Sequence, residues 1–440
     1  MTALLTAGQV QAQETTQETL TLTLDKALEI ALADNPTMKV ADEQIALKKI
    51  ADKETWQNLL PQVDVNGSWQ YTITAASISL GDQTFKMGRD ASNTAAAAIT
   101  VGLPLFAPSV YKAMAMTKTD IELAVEQSRA SQQDLVNQVT KAYYLLMLSQ
   151  DSYRVMQETY ALSEENFNNV NAMYQQGSVS EYDKLTAEVQ LRSVKPSVVS
   201  ASNAVTLAKL QLKVLMGVTA NVDIKIDDSL ANYETMLFAN QLNDWDEGLA
   251  DNSSLRQMDL NRKLLTQNVK ALRANFLPTF NTQFSFQYQS MNNHNWDVFS
   301  KFKFSPSSSL AFSLTIPIFH ASNFTKLKSA HTQIRQLDYS RADTERKLNM
   351  QAVSYRNNMQ ASSEQVASNK ENIVQAGKAV DIATTRYKAG SGTVLELNNS
   401  QVALTQAELT YNQSIYDYLT NKADLDMVLG RDYVAKEEVK

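Results

Sequence analysis

The stretch from Ala321 to Ala389 constrains this chain most, because it has the character of one uninterrupted helix. It contains no proline and a single glycine, Gly377. A continuous helix of this length would span about 100 Å, whereas an ordinary globular helix has about 11–12 residues. Near its far end, apolar residues recur at every seventh position: Met359, Val366, Ile373, Val380 and Tyr387. This spacing is typical of a helix that packs along another helix, so the rest of the chain has to supply its partners.

The chain repeats itself once. Matching motifs return in the same order, 213 residues further on: Pro104 and Pro317, Gly177 and Gly390, and Gly217 and Gly430. This duplication predicts that the helix at 321–389 has a twin at about 109–176. A second helix follows the glycine, and in the first half we place it at about 180–216.

Each half also contains two stretches in which apolar and polar residues alternate, which is the pattern of a strand with one apolar face. These stretches lie at about 62–76, 99–105, 280–289 and 310–318. Loops are predicted between the strands of each pair, at about 78–93 and 291–307. The bridge between the halves is expected to be irregular.

Two architectures fit such strands: a soluble antiparallel sheet covered by helices on one face, or strands that cross a membrane. The helices favour the second, because they are too long to lie over a short sheet. Four strands cannot close a transmembrane barrel, and lipid does not tolerate an open sheet edge. Several copies must then share one barrel, of eight strands from two chains or twelve from three.

Composition excludes several classes of function. The chain has no cysteine, which excludes disulfides, thiolate metal sites and a cysteine nucleophile. Its net charge of −7 argues against a nucleic-acid partner. The three histidines, His294, His320 and His331, are scattered, and no phosphate-binding loop or hydrolase motif occurs. We therefore predict that the chain is not an enzyme and has no metal site and no cofactor.

The order of these motifs resembles that of the TolC-like outer-membrane efflux proteins, or outer membrane factors, over about residues 20–430. The resemblance is carried by the pattern Leu-x-x-Ala-Leu-x-x-Ala-Leu-x-x-Asn-Pro at 24–36, by Leu60-Pro61 and Leu277-Pro278, and by two Tyr-x-x-Gly turns. It implies a mixed α/β membrane protein that forms a homotrimer. Each chain would give four transmembrane β-strands to a shared 12-stranded barrel, and its long periplasmic α-helices would form a helical barrel.

The resemblance also implies a function. It indicates the outer-membrane channel of a tripartite efflux pump, a passive exit duct for small molecules such as drugs. The implied partners are a periplasmic adaptor (membrane fusion) protein, an inner-membrane pump and outer-membrane lipid, with a large part of the chain in the periplasm. Two alternatives remain open: the exit duct of a type I protein secretion system, and a helical scaffold that never enters a membrane.

The repeat and the resemblance together predict the domain organisation. Residues 1–19 are a signal remnant or a disordered tail, with a small-residue cleavage site after Ala12. The first structural repeat, with helices, two strands and a long helix pair, covers 20–217. An equatorial linker at 218–243 leads to the second repeat at 244–430, and 431–440 form a C-terminal tail.

The two Tyr-x-x-Gly turns are the predicted functional site. The resemblance places them at the periplasmic tip, where the pore closes and the adaptor docks. The candidate gate and docking residues are Tyr174, Gly177, Asp183, Tyr387, Gly390 and Glu396. Gly392 stands where some relatives carry an arginine that holds the gate shut, so this chain departs from that latch.

The carboxylates and tyrosines of these turns allow more than one interpretation. In a trimer Asp183 and Glu396 would each form a ring of three that concentrates cations. Alternatively, both are solvated carboxylates that favour a helix N-terminus in any protein. Tyr387 stands at the position of the gating aromatic, whereas simple packing in a helix seam is the alternative for Tyr174 and Tyr387.

Overall fold

The computed structural model describes residues 19–87, 90–219, 222–239, 248–292 and 303–434. Residues 1–18 of the predicted signal remnant, residues 435–440 of the predicted C-terminal tail and His294 lie outside the described residues. The chain divides into two compact units: residues 1–42, 126–256 and 342–440 form the first, and residues 43–125 and 257–341 form the second. The boundaries of the two sequence repeats do not coincide with these units and stay a prediction.

Long helices make up most of the chain. The helices are α1 Leu24–Asp34, α2 Pro36–Gln57, α3 Pro108–Gln175, α4 Glu181–Met216, α5 Glu234–Ala239, α6 Ser253–Ala274, α7 Ala321–Lys388 and α8 Val394–Leu429. α3 and α7 have 68 residues each, α4 and α8 have 36 each, and α2 and α6 have 22 each. Helices of equal length therefore recur in the order that the sequence repeat predicts. None of the described helices combines the length and the apolar character that a membrane-crossing helix needs.

The second unit holds an antiparallel sheet of four strands. The strands of the chain are β1 Thr19–Thr21, β2 Gln62–Thr72, β3 Ala76–Leu80, β4 Gln83–Met87, β5 Ser92–Phe106, β6 Asp223–Lys225, β7 Thr279–Asn292 and β8 Ser305–Thr315. The sheet has the order β2-β5-β7-β8 and every neighbouring pair is antiparallel. The two predicted strand pairs therefore come together in one sheet, with β2 and β8 at its edges.

The register of this sheet separates an apolar face from a polar one. One row across the four strands is entirely apolar: Val63, Val101, Phe284 and Leu310. The adjacent row, which points to the other face, is entirely polar: Asp64, Thr100, Ser285 and Ser309. Successive residues of a strand point to opposite faces, so this alternation makes the whole sheet amphipathic.

The loop predicted at about 78–93 is in part a β-hairpin, which corrects the sequence prediction. β3 and β4 pair antiparallel, with Ile78 opposite Phe85. Gly81 turns the chain between them with φ of +62°, a conformation that glycine adopts without steric cost. Each strand has only five residues, too few for the alternation to stand out against the polar residues around it.

The first unit has a hydrophobic core where helices meet two short strands. β1 pairs with β6 in parallel, and around them α1, α3, α4 and α8 bury large side chains. The fully buried members include Tyr143, Leu146, Met147, Leu212, Met216, Ile224, Leu230 and Ile415. The bridge between the halves, predicted as irregular, contains in its described part β6, a 3₁₀ helix at Leu230–Tyr233 and α5.

Two matching junctions in the first unit fix where helices begin and end. The side chain of Asn35 donates to the Leu215 carbonyl (2.6 Å) and accepts from the Thr37 amide (2.8 Å). In the second half Asn252 likewise donates to the Val428 carbonyl (2.7 Å) and accepts from the Ser254 amide (3.0 Å). Each asparagine thus caps one helix and satisfies a carbonyl at the end of another.

Candidate functional site

The candidate site consists of the two turns that join α3 to α4 and α7 to α8. α3 ends at Gln175, and Gly177 follows with φ of +74°; α7 ends at Lys388, and Gly390 follows with φ of +70°. The Gly177 amide donates to the Tyr174 carbonyl (2.9 Å) and the Gly390 amide to the Tyr387 carbonyl (3.0 Å). A left-handed glycine that satisfies the last carbonyls is a common helix ending, because other residues pay a steric cost there.

Asp183 and Glu396 close capping boxes at the start of the next helices. The Asp183 amide donates to Ser180 Oγ (3.2 Å), and Asp183 Oδ2 accepts from the Ser180 amide (3.2 Å). Glu396 makes the same reciprocal pair with Thr393, at 3.2 and 3.4 Å. Both carboxylates therefore stabilise a helix N-terminus. The sequence analysis gave this local role as the alternative to a ring of carboxylates in a trimer.

Tyr387 is the buried centre of the site. Its side chain is 7% exposed and lies in a cluster with Val170, Ala187, Val394 and Leu397. These neighbours come from α3, α4 and α8, so the cluster packs the two turns against each other. Burial and the nearby Asp183 carboxylate raise the pKa of Tyr387. Its hydroxyl is buried and has no hydrogen-bond partner among the described residues.

Tyr174, the counterpart of Tyr387 in the first half, has a different environment. It is 36% exposed and lies outside the buried cluster. Lys184 places its Nζ 5.1 Å from the centre of the Tyr174 ring, within the range of a cation–π contact. The two turns have the same backbone but are not equivalent in their side chains.

Gly392 leaves room for the backbone of the α7–α8 turn. A Cβ at this position would lie 3.1 Å from the Arg386 Cβ and 3.1 Å from the Tyr387 amide nitrogen. Some relatives carry an arginine at the position of Gly392. Here Arg386, which the sequence analysis did not single out, places a positive charge at this turn. Arg386 Nη1 lies 3.7 Å from the Glu396 carboxylate, and its Nη2 donates to the Ser391 carbonyl (3.2 Å). Both side chains are about half exposed, so the ion pair contributes little to stability.

A groove of about 620 Å³ runs beside Tyr387, between α3, α7 and α8. Asn166 lines the groove, and its side-chain amide donates to Asn398 Oδ1 (3.1 Å). Gln401 also lines the groove, and its buried Oε1 accepts no hydrogen bond from any described residue. The sequence did not identify Asn166 and Gln401 as lining residues of a groove, because each lies in an ordinary helical stretch.

The predicted site residues of the two halves lie together in the structure. The six predicted residues fall into two turns, and packing around Tyr387 brings Asp183 of the first turn close to the second. Among the described residues, no three histidine or acidic side chains come together in the way that a metal ion requires.

The chain matches the family described as outer membrane efflux protein at residues 27–218 and 246–431. It is 20% identical to the outer membrane protein TolC of Vibrio cholerae serotype O1 over 388 residues, which are 84% of this chain and 82% of the relative.

Solved structures share the fold. CusC aligns with a TM-score of 0.74 at 16% identity, over 94% of this chain and 93% of its own. The open state of the Neisseria gonorrhoeae MtrE outer membrane channel aligns with a TM-score of 0.69 at 18% identity, over 98% of both chains.

Proposed function

The chain belongs to the outer membrane efflux protein family, and from this premise we propose that it is the passive exit duct of a tripartite pump that exports small molecules such as drugs. Family membership confirms the fold class of long helices with a β-sheet, the location in the outer membrane and the function as an efflux channel. The homotrimer, the partners and the roles of the two turns are proposals.

The observation that carries the proposal is the amphipathic sheet with two open edges. Among the described residues, β2 pairs only with β5 and β8 only with β7. An unpaired edge in lipid leaves backbone groups without hydrogen bonds, at several kcal/mol each. Because four antiparallel strands alternate in direction, β8 of one copy can pair antiparallel with β2 of the next. Three copies would close a barrel of twelve strands with its apolar row outside.

The first unit offers separate support for a homotrimer. α4 carries an exposed apolar stripe, which we define as Leu185, Val189, Val199, Leu207, Leu210 and Val214. At 100° per residue all six fall within one sector of about 100° on the helix surface. An apolar stripe of this length is typical of an interaction surface. In the proposed trimer a helix of the neighbouring copy covers it.

The two turns are the proposed contact with the export machinery. They expose Gly177 and Gly390 and a mixture of polar side chains at the ends of the long helices. We propose that a periplasmic adaptor docks here and links the duct to an inner-membrane pump that supplies the energy. Asp183 and Glu396 would form carboxylate rings in the mouth of the pore, and Tyr387 would hold the turns in place around it.

Conductance of the purified full chain in a planar bilayer tests the exit-duct proposal. We expect discrete channels and a mass in detergent of three chains. A monomer that produces no conductance would contradict the proposal.

A matched pair of variants tests whether the apolar face of the sheet contacts lipid. Phe284→Lys puts a charge on the apolar face, at a cost of about 2–4 kcal/mol in lipid, and should abolish insertion. Ser285→Lys puts the same charge on the polar face and should leave channels of altered selectivity. Equal behaviour of the two variants would show that the apolar face does not meet lipid.

A further inference from the structure

A cavity of about 500 Å³ in the first unit lies far along the sequence from the two turns and has no role in conduction as proposed. It is bounded by the start of α1, by α3, by the segment after β6 and by α8. Its lining combines four tyrosines, three aspartates and one lysine: Tyr143, Tyr144, Tyr233, Tyr418, Asp25, Asp227, Asp228 and Lys422. Its volume lies within the range of about 300–1,000 Å³ that small-molecule sites occupy.

The tyrosines form an aromatic wall. Tyr144 lies edge-on to Tyr233, with ring centres 5.6 Å apart, and to Tyr143, at 6.2 Å. Tyr144 and Tyr418 are only 8% and 4% exposed, and both line the cavity. Both side chains are therefore largely shielded from bulk water and still border an open space that could hold a bound group.

The carboxylates give the cavity a negative charge. Asp227 is neutralised by Lys225, whose Nζ lies 2.7 Å from its carboxylate. Asp25 and Asp228 have no ion pair within the described part of the chain. Asp228 is held in place, because it accepts from the Asn232 side chain (2.7 Å) and from the Ser229 amide (3.0 Å). Lys422 is the cation among the lining residues.

We propose that this cavity binds an organic cation, an ammonium group attached to a small apolar body. The tyrosine faces attract a cation through their quadrupoles, and the attraction grows when water is excluded. The two carboxylates supply the countercharge, and Leu22 and Leu419 offer buried apolar contact. The ammonium group could belong to a free small molecule or to a lysine side chain of a partner protein.

Calorimetric titration of the purified full chain in detergent tests the proposal with three probes. 1-Naphthylmethylamine carries an ammonium group on an apolar body, and 1-naphthylmethanol is its neutral counterpart. N-acetyl-lysine methylamide represents a lysine side chain. We expect the naphthyl amine to bind at least tenfold more tightly than the naphthyl alcohol. If the lysine probe competes with equal affinity, the source is a basic side chain; if it does not, the source is a small organic cation.

Substitutions of lining residues test whether the naphthyl amine binds in this cavity. Asp25→Asn and Tyr233→Leu should each lower the affinity for the naphthyl amine at least fivefold. Lys422→Met should raise this affinity, because a competing cation is removed. Glu29→Gln is the control, since this α1 carboxylate pairs with Lys26 outside the cavity. Equal affinity for the amine and the alcohol, or an unchanged affinity in Asp25→Asn and Tyr233→Leu, would overturn the proposal. Circular dichroism confirms that each variant is folded.

Discussion

Four glycines with the same left-handed backbone have very different surroundings. Gly177, Gly217, Gly390 and Gly430 all have φ between +70° and +75°. At Gly177 and Gly390 an added Cβ would meet open space. At Gly217 it would lie 3.0 Å from the Asp34 carbonyl oxygen, and at Gly430 it would overlap the Asp251 carbonyl. Two of these glycines therefore serve only the turn, whereas the other two also allow two helix ends to approach.

Alanine substitutions should separate these two roles. We expect Gly390→Ala to cost about 1–2 kcal/mol, the price of the left-handed conformation alone. Gly217→Ala should cost more, and Gly430→Ala should cost most, because backbone must move as well. The measurement is the loss of helical circular dichroism on heating the purified protein. An equal loss of thermal stability in all three variants would show that the close approach at Gly430 is unimportant.

Some hydrogen bonds of the first unit could not be predicted from the sequence. Arg129 donates to the Asp432 carboxylate (2.9 Å) and to the Gly430 carbonyl (2.8 Å), and Gln133 donates to the same carbonyl (3.0 Å). These bonds tie α3 to the end of α8, about 300 positions away in sequence. Contacts between such distant positions leave no periodic signal, and a lone arginine in a polar helical sequence is indistinguishable from a solvated one.

At the scale of elements, the exposed stripe of α4 makes the homotrimer testable. Val199→Glu places a charge in the centre of the stripe and should shift the detergent-solubilised protein from trimer towards monomer. A buried unpaired charge is costly, so a second substitution, Leu207→Glu, should strengthen the effect. Ser197→Glu is the matched control, because Ser197 is exposed and lies about 80° around the helix from the nearest edge of the stripe. The mass in detergent reports the outcome, and a trimer that survives both substitutions would remove α4 from the proposed interface.

Elements with strong periodicity were predictable from sequence, whereas short ones were not. The seventh-residue spacing and the absence of proline predicted α7 to within one residue of its observed end at Lys388. Alternation predicted all four strands of the sheet but not all of their bounds. β5 was placed at about 99–105 and runs from Ser92 to Phe106, because the residues before Ile99 are mostly alanine and do not alternate. β8 was placed at about 310–318 and runs from Ser305 to Thr315. β1 and β6 have three residues each, and what makes them strands is their pairing with one another across the chain.

At the scale of the whole molecule, the proposed carboxylate rings exist only in an assembly. Asp183→Asn and Glu396→Gln keep an oxygen that can accept the capping hydrogen bond but remove the charge, so the helices should persist. We expect the double variant to lose most of its cation preference, measured as the reversal potential across a KCl gradient in a planar bilayer. Glu181→Gln is the control, since Glu181 lies in the first turn of α4 but outside the capping box. An unchanged reversal potential in the double variant would leave Asp183 and Glu396 as caps alone.

The unequal tyrosines of the two turns have a consequence for how such a protein can evolve. A duplication begins with two identical turns, and both must then satisfy the same demands. Here Tyr387 is enclosed by four buried neighbours, so a substitution has to be accommodated by several helices at once. Tyr174 borders solvent and contacts Lys184, so a substitution there disturbs few neighbouring side chains. If the turns form the proposed channel mouth, one copy can preserve its shape while the other varies to follow a changing partner, a freedom that a single unduplicated turn would not have.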